Sequence, residues 1–271
     1  MRALTLALLV LATPAMAGEV TLTGTPTQGA LLVGTASGAV AITLDKRTVP
    51  VSPEGVFAFG LGVDAAPTAH LTVKFADGTE DARDLTVTKR TWQEERVDGL
   101  APETVNPPKA VLDRIAKENA LIGKAFARTT VGTSFASGFI WPVTGRLSGV
   151  FGSRRVLNGQ PMSPHTGVDI AAPGGTPILA AAAGVVALNE PNLYYTGGTV
   201  ILDHGQGVTT TYAHLSSSTV KVGQRVAQGE VIGKVGATGR ATGANLHWQI
   251  NWFDVRLDPE LVVPPMTRPQ G

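Results

Sequence analysis

Four of the five histidines fall between residues 165 and 247. Imidazole changes charge near neutral pH and is the commonest metal ligand, so this crowding directs attention to the second half of the chain. His165-Thr166-Gly167-Val168-Asp169 sets an imidazole and a carboxylate four residues apart, with Gly167 permitting a sharp change of direction between them. In Asn245-Leu246-His247-Trp248-Gln249-Ile250 the apolar residues alternate. A strand there puts Leu246, Trp248 and Ile250 on a core face, and Asn245, His247 and Gln249 on the other. The same alternation places Tyr212 and His214 together, opposite Thr211, Ala213 and Leu215. Two imidazoles and one carboxylate, if the fold gathers them, fill three positions of a tetrahedral zinc site and leave the fourth open, the arrangement hydrolysis needs. Taken alone, the His-x-x-x-Asp spacing equally describes a surface pair.

Composition narrows the chemistry. The chain has no cysteine, which excludes thiolate metal sites and cysteine nucleophiles and leaves His, Asp and Glu. Lys and Arg number 22 against 21 Asp and Glu. With no basic run or stripe, nucleic acid is not the expected partner. Of the 271 residues 43% are hydrophobic and 16% charged, enough apolar material to build a core. With 32 Gly and 18 Pro, the composition reads as many short strands joined by turns.

The elements that must position these residues follow in order. Residues 1–17 read as a secretory leader: Arg2 is the positive start, Ala3 to Ala12 the apolar stretch, and Ala15-Met16-Ala17 a small-x-small cleavage site. The apolar stretch is too short for a membrane-spanning helix, which needs ~20 residues. Export to the periplasm, cell envelope or medium is therefore expected, with no membrane span after cleavage. Residues 18–95 read as a small β-sandwich, with strand candidates at Val40–Leu44, Val56–Phe59, His70–Phe75 and Leu85–Val87. His70 belongs to the solvated face of its strand and is given no role. Residues 96–137 read as a linker with a helix over about 108–126, striped by Val111, Leu112, Ile115, Ile122 and Phe126. Residues 138–264 return to short strands. Thr199–Asp203 and Val208–His214 flank a His204-Gly205-Gln206-Gly207 turn as a hairpin. The fold class is mainly β, with a compact antiparallel second domain.

The ordered pieces Phe151-Gly152-Ser153-Arg154, His165-Thr166-Gly167-Val168-Asp169-Ile170-Ala171-Ala172-Pro173, Tyr212-Ala213-His214-Leu215 and Thr238-Gly239-Arg240-Ala241-Thr242-Gly243, followed by Asn245-Leu246-His247, resemble the lysostaphin/LytM-type zinc metallopeptidases. Those enzymes hydrolyse peptide bonds of bacterial peptidoglycan. The resemblance covers roughly residues 139–255. It implies one Zn2+ per chain held by His165, Asp169 and His247, and it makes His214 the non-ligand catalytic histidine. It transfers no role to His204, which is expected to be a turn residue bonded to nearby backbone. In one place the chain departs from the family: the last motif is His-x-His, and here Asn245 stands first. Asn cannot take a proton at neutral pH, but its amide can donate a hydrogen bond.

Three function classes follow. The leading one is an exported zinc metalloendopeptidase acting on peptidoglycan stem or cross-bridge peptides, slowed by Asn245. The second is a non-catalytic peptidoglycan-binding module of the same fold that regulates a cell-wall hydrolase or divisome partner. Loss of a metal ligand would favour it, whereas the change at 245 removes only a catalytic group. The third, a phosphocarrier using His204 and His214, conflicts with the leader, because its phosphoryl donor is cytoplasmic.

Overall fold

Apolar residues alternate with polar ones between closely spaced turn-formers, and strands dominate the structure. It is a computed structural model describing residues 18–97, 109–157 and 159–266. The expected leader, and the part of the expected linker at 98–108, lie outside the described residues. Seven strands come first: β1 (Val20–Thr23), β2 (Leu31–Ala36), β3 (Ala39–Leu44), β4 (Arg47–Val49), β5 (Val56–Gly60), β6 (Thr68–Phe75) and β7 (Glu80–Thr86). They form two antiparallel sheets, β1-β2-β5 and β4-β3-β6-β7. Leu32, Phe57 and Phe59 from one sheet, and Ile42, Leu71 and Val73 from the other, enter one core. Burying a phenylalanine of this kind contributes on the order of 1.5–3 kcal/mol. On β6 the alternation keeps His70 in solvent, where its Nδ1 lies 2.6 Å from Asp84 Oδ1. The hydrogen bond and the charge of Asp84 raise the imidazole pKa.

Strand β8 (Glu94–Val97) straddles the expected end of this first unit, and α1 (Lys109–Phe126) follows. The helix packs through its last turns: Ile122, Ala125 and Phe126 meet Leu188, Leu193 and Ile201. Leu112, expected on the apolar stripe, is instead exposed, because the first turns extend past this contact.

After a 3-10 turn at Ser134–Ser137 come β9 (Arg146–Gly149), β10 (Arg154–Leu157), β11 (Gln160–Pro161), β12 (Val168–Ala171), β13 (Pro177–Leu179) and β14 (Gly184–Leu193). The remaining strands are β15 (Gly197–Gly205), β16 (Val208–Ser218), β17 (Arg225–Val226), β18 (Val231–Val235), β19 (Asn245–Trp252) and β20 (Val255–Leu257). Ten of these strands form one sheet, its main path running β17-β14-β15-β16-β19-β12-β9. The β15–β16 turn is tighter than expected. Only Gln206 (φ 52°) and Gly207 (φ 80°) lie outside the strands, the positive-φ pair of a two-residue hairpin. His204 is consequently a strand residue.

The two units share the same core. Arg90 Nη1 meets the buried carboxylate of Asp258 at 2.7 Å, and Gln206 Nε2 donates to the Val56 carbonyl at 2.9 Å. Strand β8 runs parallel to β10, tying the segment that leaves the first unit to the second. Among the described residues, no helix is long and apolar enough to cross a membrane.

Candidate metal centre and catalytic cleft

Strand β12 alternates: Val168 and Ile170 are fully buried, and Asp169 faces the other way. The β12–β19 register sets Asp169 directly opposite His247, and the β16–β19 register sets Ala213 opposite His247. Directly opposed residues share a face, so Asp169 and His247 leave the sheet on the same side. His165 precedes β12 and is clasped by the turn between β9 and β10. Its carbonyl accepts from Gly152 N at 2.9 Å, its N–H donates to Ser153 O at 2.8 Å, and its Nδ1 donates to Val150 O at 3.1 Å. With Nδ1 engaged, the Nε2 lone pair is the one offered to the cluster. Trp92 seals this turn from outside. A Cβ on Gly152 would lie 2.2 Å from the Trp92 ring, Phe151 meets that ring edge-on at 5.6 Å, and Arg90 stacks on it at 4.5 Å.

The three groups converge. His165 Nε2 lies 3.2 Å from His247 Nδ1 and 3.3 Å from Asp169 Oδ1, and His247 Nδ1 lies 2.8 Å from Asp169 Oδ1. Zinc ligands at ~2.0–2.1 Å in a tetrahedron are ~3.3 Å apart, so this donor set fits zinc in both chemistry and spacing. All three side chains are partly buried. Burial opposes ionisation of Asp169, but hydrogen bonds and positive charge from His165 and His247 outweigh it and hold the carboxyl well below the usual carboxylate range.

His214 reaches the cleft by a different route from the one alternation predicts. Tyr212 is opposite Trp248 and Ala213 opposite His247, so continued alternation would send His214 into the core with Tyr212. Residue 214 instead adopts φ 66°, a left-handed conformation that costs a non-glycine residue about 1–3 kcal/mol and gathers at functional sites. The kink brings its ring centroid to 6.2 Å from that of His247. The β16–β19 ladder has already ended at Ala213, and the kink coincides with a bulge in the β15–β16 pairing between Tyr212 and Leu215. His214 Nδ1 donates to Thr238 O at 2.8 Å, leaving Nε2 as the basic nitrogen. Burial lowers its pKa, opposed by the bond to Thr238.

Asn245 begins β19 opposite Ala171, two places along from the Asp169–His247 pair and on the same face. Its Oδ1 is buried and meets no hydrogen-bond partner among the described residues. Gln249, the next residue on this face, serves the scaffold: its Oε1 accepts from Thr166 Oγ1 at 2.7 Å. His204 stands apart. Its Nδ1 donates to Ala183 O at 2.7 Å, its Nε2 lies 2.8 Å from Thr210 Oγ1, and burial lowers its pKa to about 4. Sealed in the core, it cannot join His214 in a phosphoryl relay. The site features that residue types did not reveal are the Val150 and Thr238 carbonyls and Gly149, where a Cβ would lie 2.5 Å from Asp169 Oδ2. The Phe151-Gly152-Ser153-Arg154 stretch beside Val150 and the Thr238–Gly243 stretch that Thr238 opens are what signal them in sequence.

Residues 163–259, which hold His165, Asp169, His214, Asn245 and His247, match Peptidase family M23. A crystal structure of a Pseudomonas aeruginosa protein assigned to peptidase M23 aligns with 87% of this chain and 94% of its own, at TM-score 0.68 and 33% identity. The chain belongs to peptidase family M23. Among its M23 relatives, the cell division protein DipM of Caulobacter vibrioides is 38% identical over 132 residues, 46% of this chain and 21% of DipM. The peptidoglycan DD-endopeptidase ShyA of Vibrio cholerae is 42% identical over 106 residues, 39% of this chain and 24% of ShyA. This M23 chain thus spans about a quarter or less of the length of these two curated relatives.

Proposed function

We propose that this chain is an exported zinc metalloendopeptidase that hydrolyses peptide bonds of bacterial peptidoglycan. The observation that carries the reading is the convergence of His165 Nε2, Asp169 Oδ1 and His247 Nδ1 within 4.8 Å of one another. These atoms would hold the metal, and the depressed pKa of Asp169 keeps its oxygen an anionic donor. Zinc, when bound, polarises a carbonyl and makes water nucleophilic near neutral pH.

The chain's own residues divide the rest of the work. His214, with Nδ1 tied to Thr238, accepts a proton at Nε2 and returns it to the departing amine. Asn245 contributes an amide donor to the oxygen that gains charge in the transition state. Its Oδ1, buried and without a hydrogen-bond partner among the described residues, can only accept, so the donor in this role is Nδ2. Export is supported by the leader pattern of residues 1–17. The named activity of ShyA supports peptidoglycan as the substrate.

The test is incubation of zinc-loaded protein with purified peptidoglycan, reading released muropeptides by chromatography and mass. New peptide-bond cleavage products are expected, and their absence would sink the hydrolytic reading. The replacement of histidine by Asn245 favours one second reading, a binding module of the same fold. Silence in this assay together with zinc-dependent co-sedimentation with peptidoglycan would select it.

A further inference from the structure

The cleft has a rim that the reaction above does not use. Two residues beyond Thr238, whose carbonyl orients His214, Arg240 donates its backbone N–H to Tyr195 O at 2.9 Å. Its guanidinium stacks on the Tyr195 ring at 4.5 Å. The two loops are locked together at glycines: a Cβ on Gly239 would lie 2.4 Å from Gly197 N, and one on Gly197 2.2 Å from Thr238 Oγ1. Tyr195 in turn meets Tyr194 edge-on at 4.9 Å. Helix α1 braces that neighbour: Glu118 Oε2 accepts from Tyr194 N at 2.7 Å, and Arg114 Nη2 donates to Asn192 O at 2.6 Å. Arg114 is itself neutralised by Glu118 at 2.6 Å. Arg240, by contrast, is exposed and makes no ion pair among the described residues.

We propose that Arg240, shelved on Tyr195, is a specificity-determining subsite that binds a free carboxylate of the peptide substrate beside the scissile bond. Stacking occupies one face of the guanidinium and leaves its edge N–H groups free to take both oxygens of a carboxylate. The ring and the backbone hydrogen bond restrict the side chain beforehand, which lowers the ordering cost on binding. The place of the scissile bond rests on the peptidase reading, whereas the test reads binding.

The full chain is zinc-loaded and carries His214→Ala to suppress turnover. It is titrated by calorimetry with two cross-linked stem peptides that differ only in whether their carboxylates are free or amidated. The free form should bind about tenfold tighter or more, the scale of charge-assisted hydrogen bonds. Adding Arg240→Gln should erase this preference by weakening only the free form, and Arg240→Lys should keep part of it. Equal affinity for the two peptides, a preference that survives Arg240→Gln, or binding of neither overturns the proposal. A preference governed by Arg240, combined with no muropeptide release by the wild type, leaves the subsite standing and removes the hydrolytic reading instead.

Discussion

Mild acid should destabilise the protein through His204. The side chain is about 1% exposed, both ring nitrogens are engaged, and Phe139 meets the ring edge-on at 5.6 Å. Burial lowers its pKa from 6.5 to about 4. The unfolded chain takes up a proton below about pH 6.5, and the native protein only below about 4. The neutral native ring therefore contributes fully above pH 6.5, and the contribution is lost as pH falls towards 4. At 1.36 kcal/mol per unit of pKa the loss is about 3 kcal/mol, a large part of the roughly 5–15 kcal/mol that holds a domain folded. His204→Gln keeps a hydrogen-bonding side chain but has nothing to titrate. Urea unfolding of both proteins, followed by tryptophan fluorescence from pH 7.5 to 4 with chelator present, isolates the effect from metal release. The stability gap between wild type and variant should narrow by about 3 kcal/mol over that range. A gap that stays constant would refute the argument and show that the imidazole is charged, or reaches water, in the native state.

Purified protein should carry about one zinc per chain. Ala at His165, Asp169 or His247 should each abolish tight binding, and normal zinc content in His247→Ala would sink the assignment. His214→Ala should keep its zinc while hydrolysis of peptidoglycan falls by ~10²-fold or more; an unchanged rate would remove His214 from the chemistry. Asn245→His should raise hydrolysis by up to ~10²-fold at equal zinc content. No gain from an active wild type would mean that the amide already does the work. Trp92→Ala should weaken zinc affinity roughly tenfold, as loss of outer support for a ligand does. Metal competition with a chromophoric chelator measures this, and an unchanged affinity would show that the 150–154 turn needs no seal.

The face shared by Asn245 and His247 was legible because β19 alternates strictly, with Leu246, Trp248 and Ile250 all fully buried. Asp169 was legible only through the family resemblance, since its four-residue spacing from His165 equally describes a surface pair. The placing of His214 with Tyr212 failed because a single backbone dihedral, φ 66°, overrides the two-residue period, and side-chain type does not encode that angle. Strand β2 went unread because Gly34 interrupts its apolar pattern. A Cβ there would lie 2.3 Å from the Phe57 ring, so the glycine serves packing and not a turn. The Val150 and Thr238 carbonyls could not be read from residue type, since every residue carries one. The parallel pairing of β8 with β10 joins segments 60 positions apart, and local pattern is blind to such separations.

That pairing also bears on how the protein can be cut and recombined. A fragment beginning at 138 keeps His165, Asp169, His214, Asn245 and His247, yet it strips Trp92 from Gly152 and leaves the edge of β10 bare. The turn that grips His165 through its N–H, carbonyl and Nδ1 would then be held from one side only. Transplanting the chemistry into another protein therefore means carrying the stretch from Arg90 to Val97 along with it, although it lies in the chain ahead of the helix and outside residues 163–259, which match the family. A splice that respects only the boundaries of similarity would move the ligands and leave behind part of what aims them.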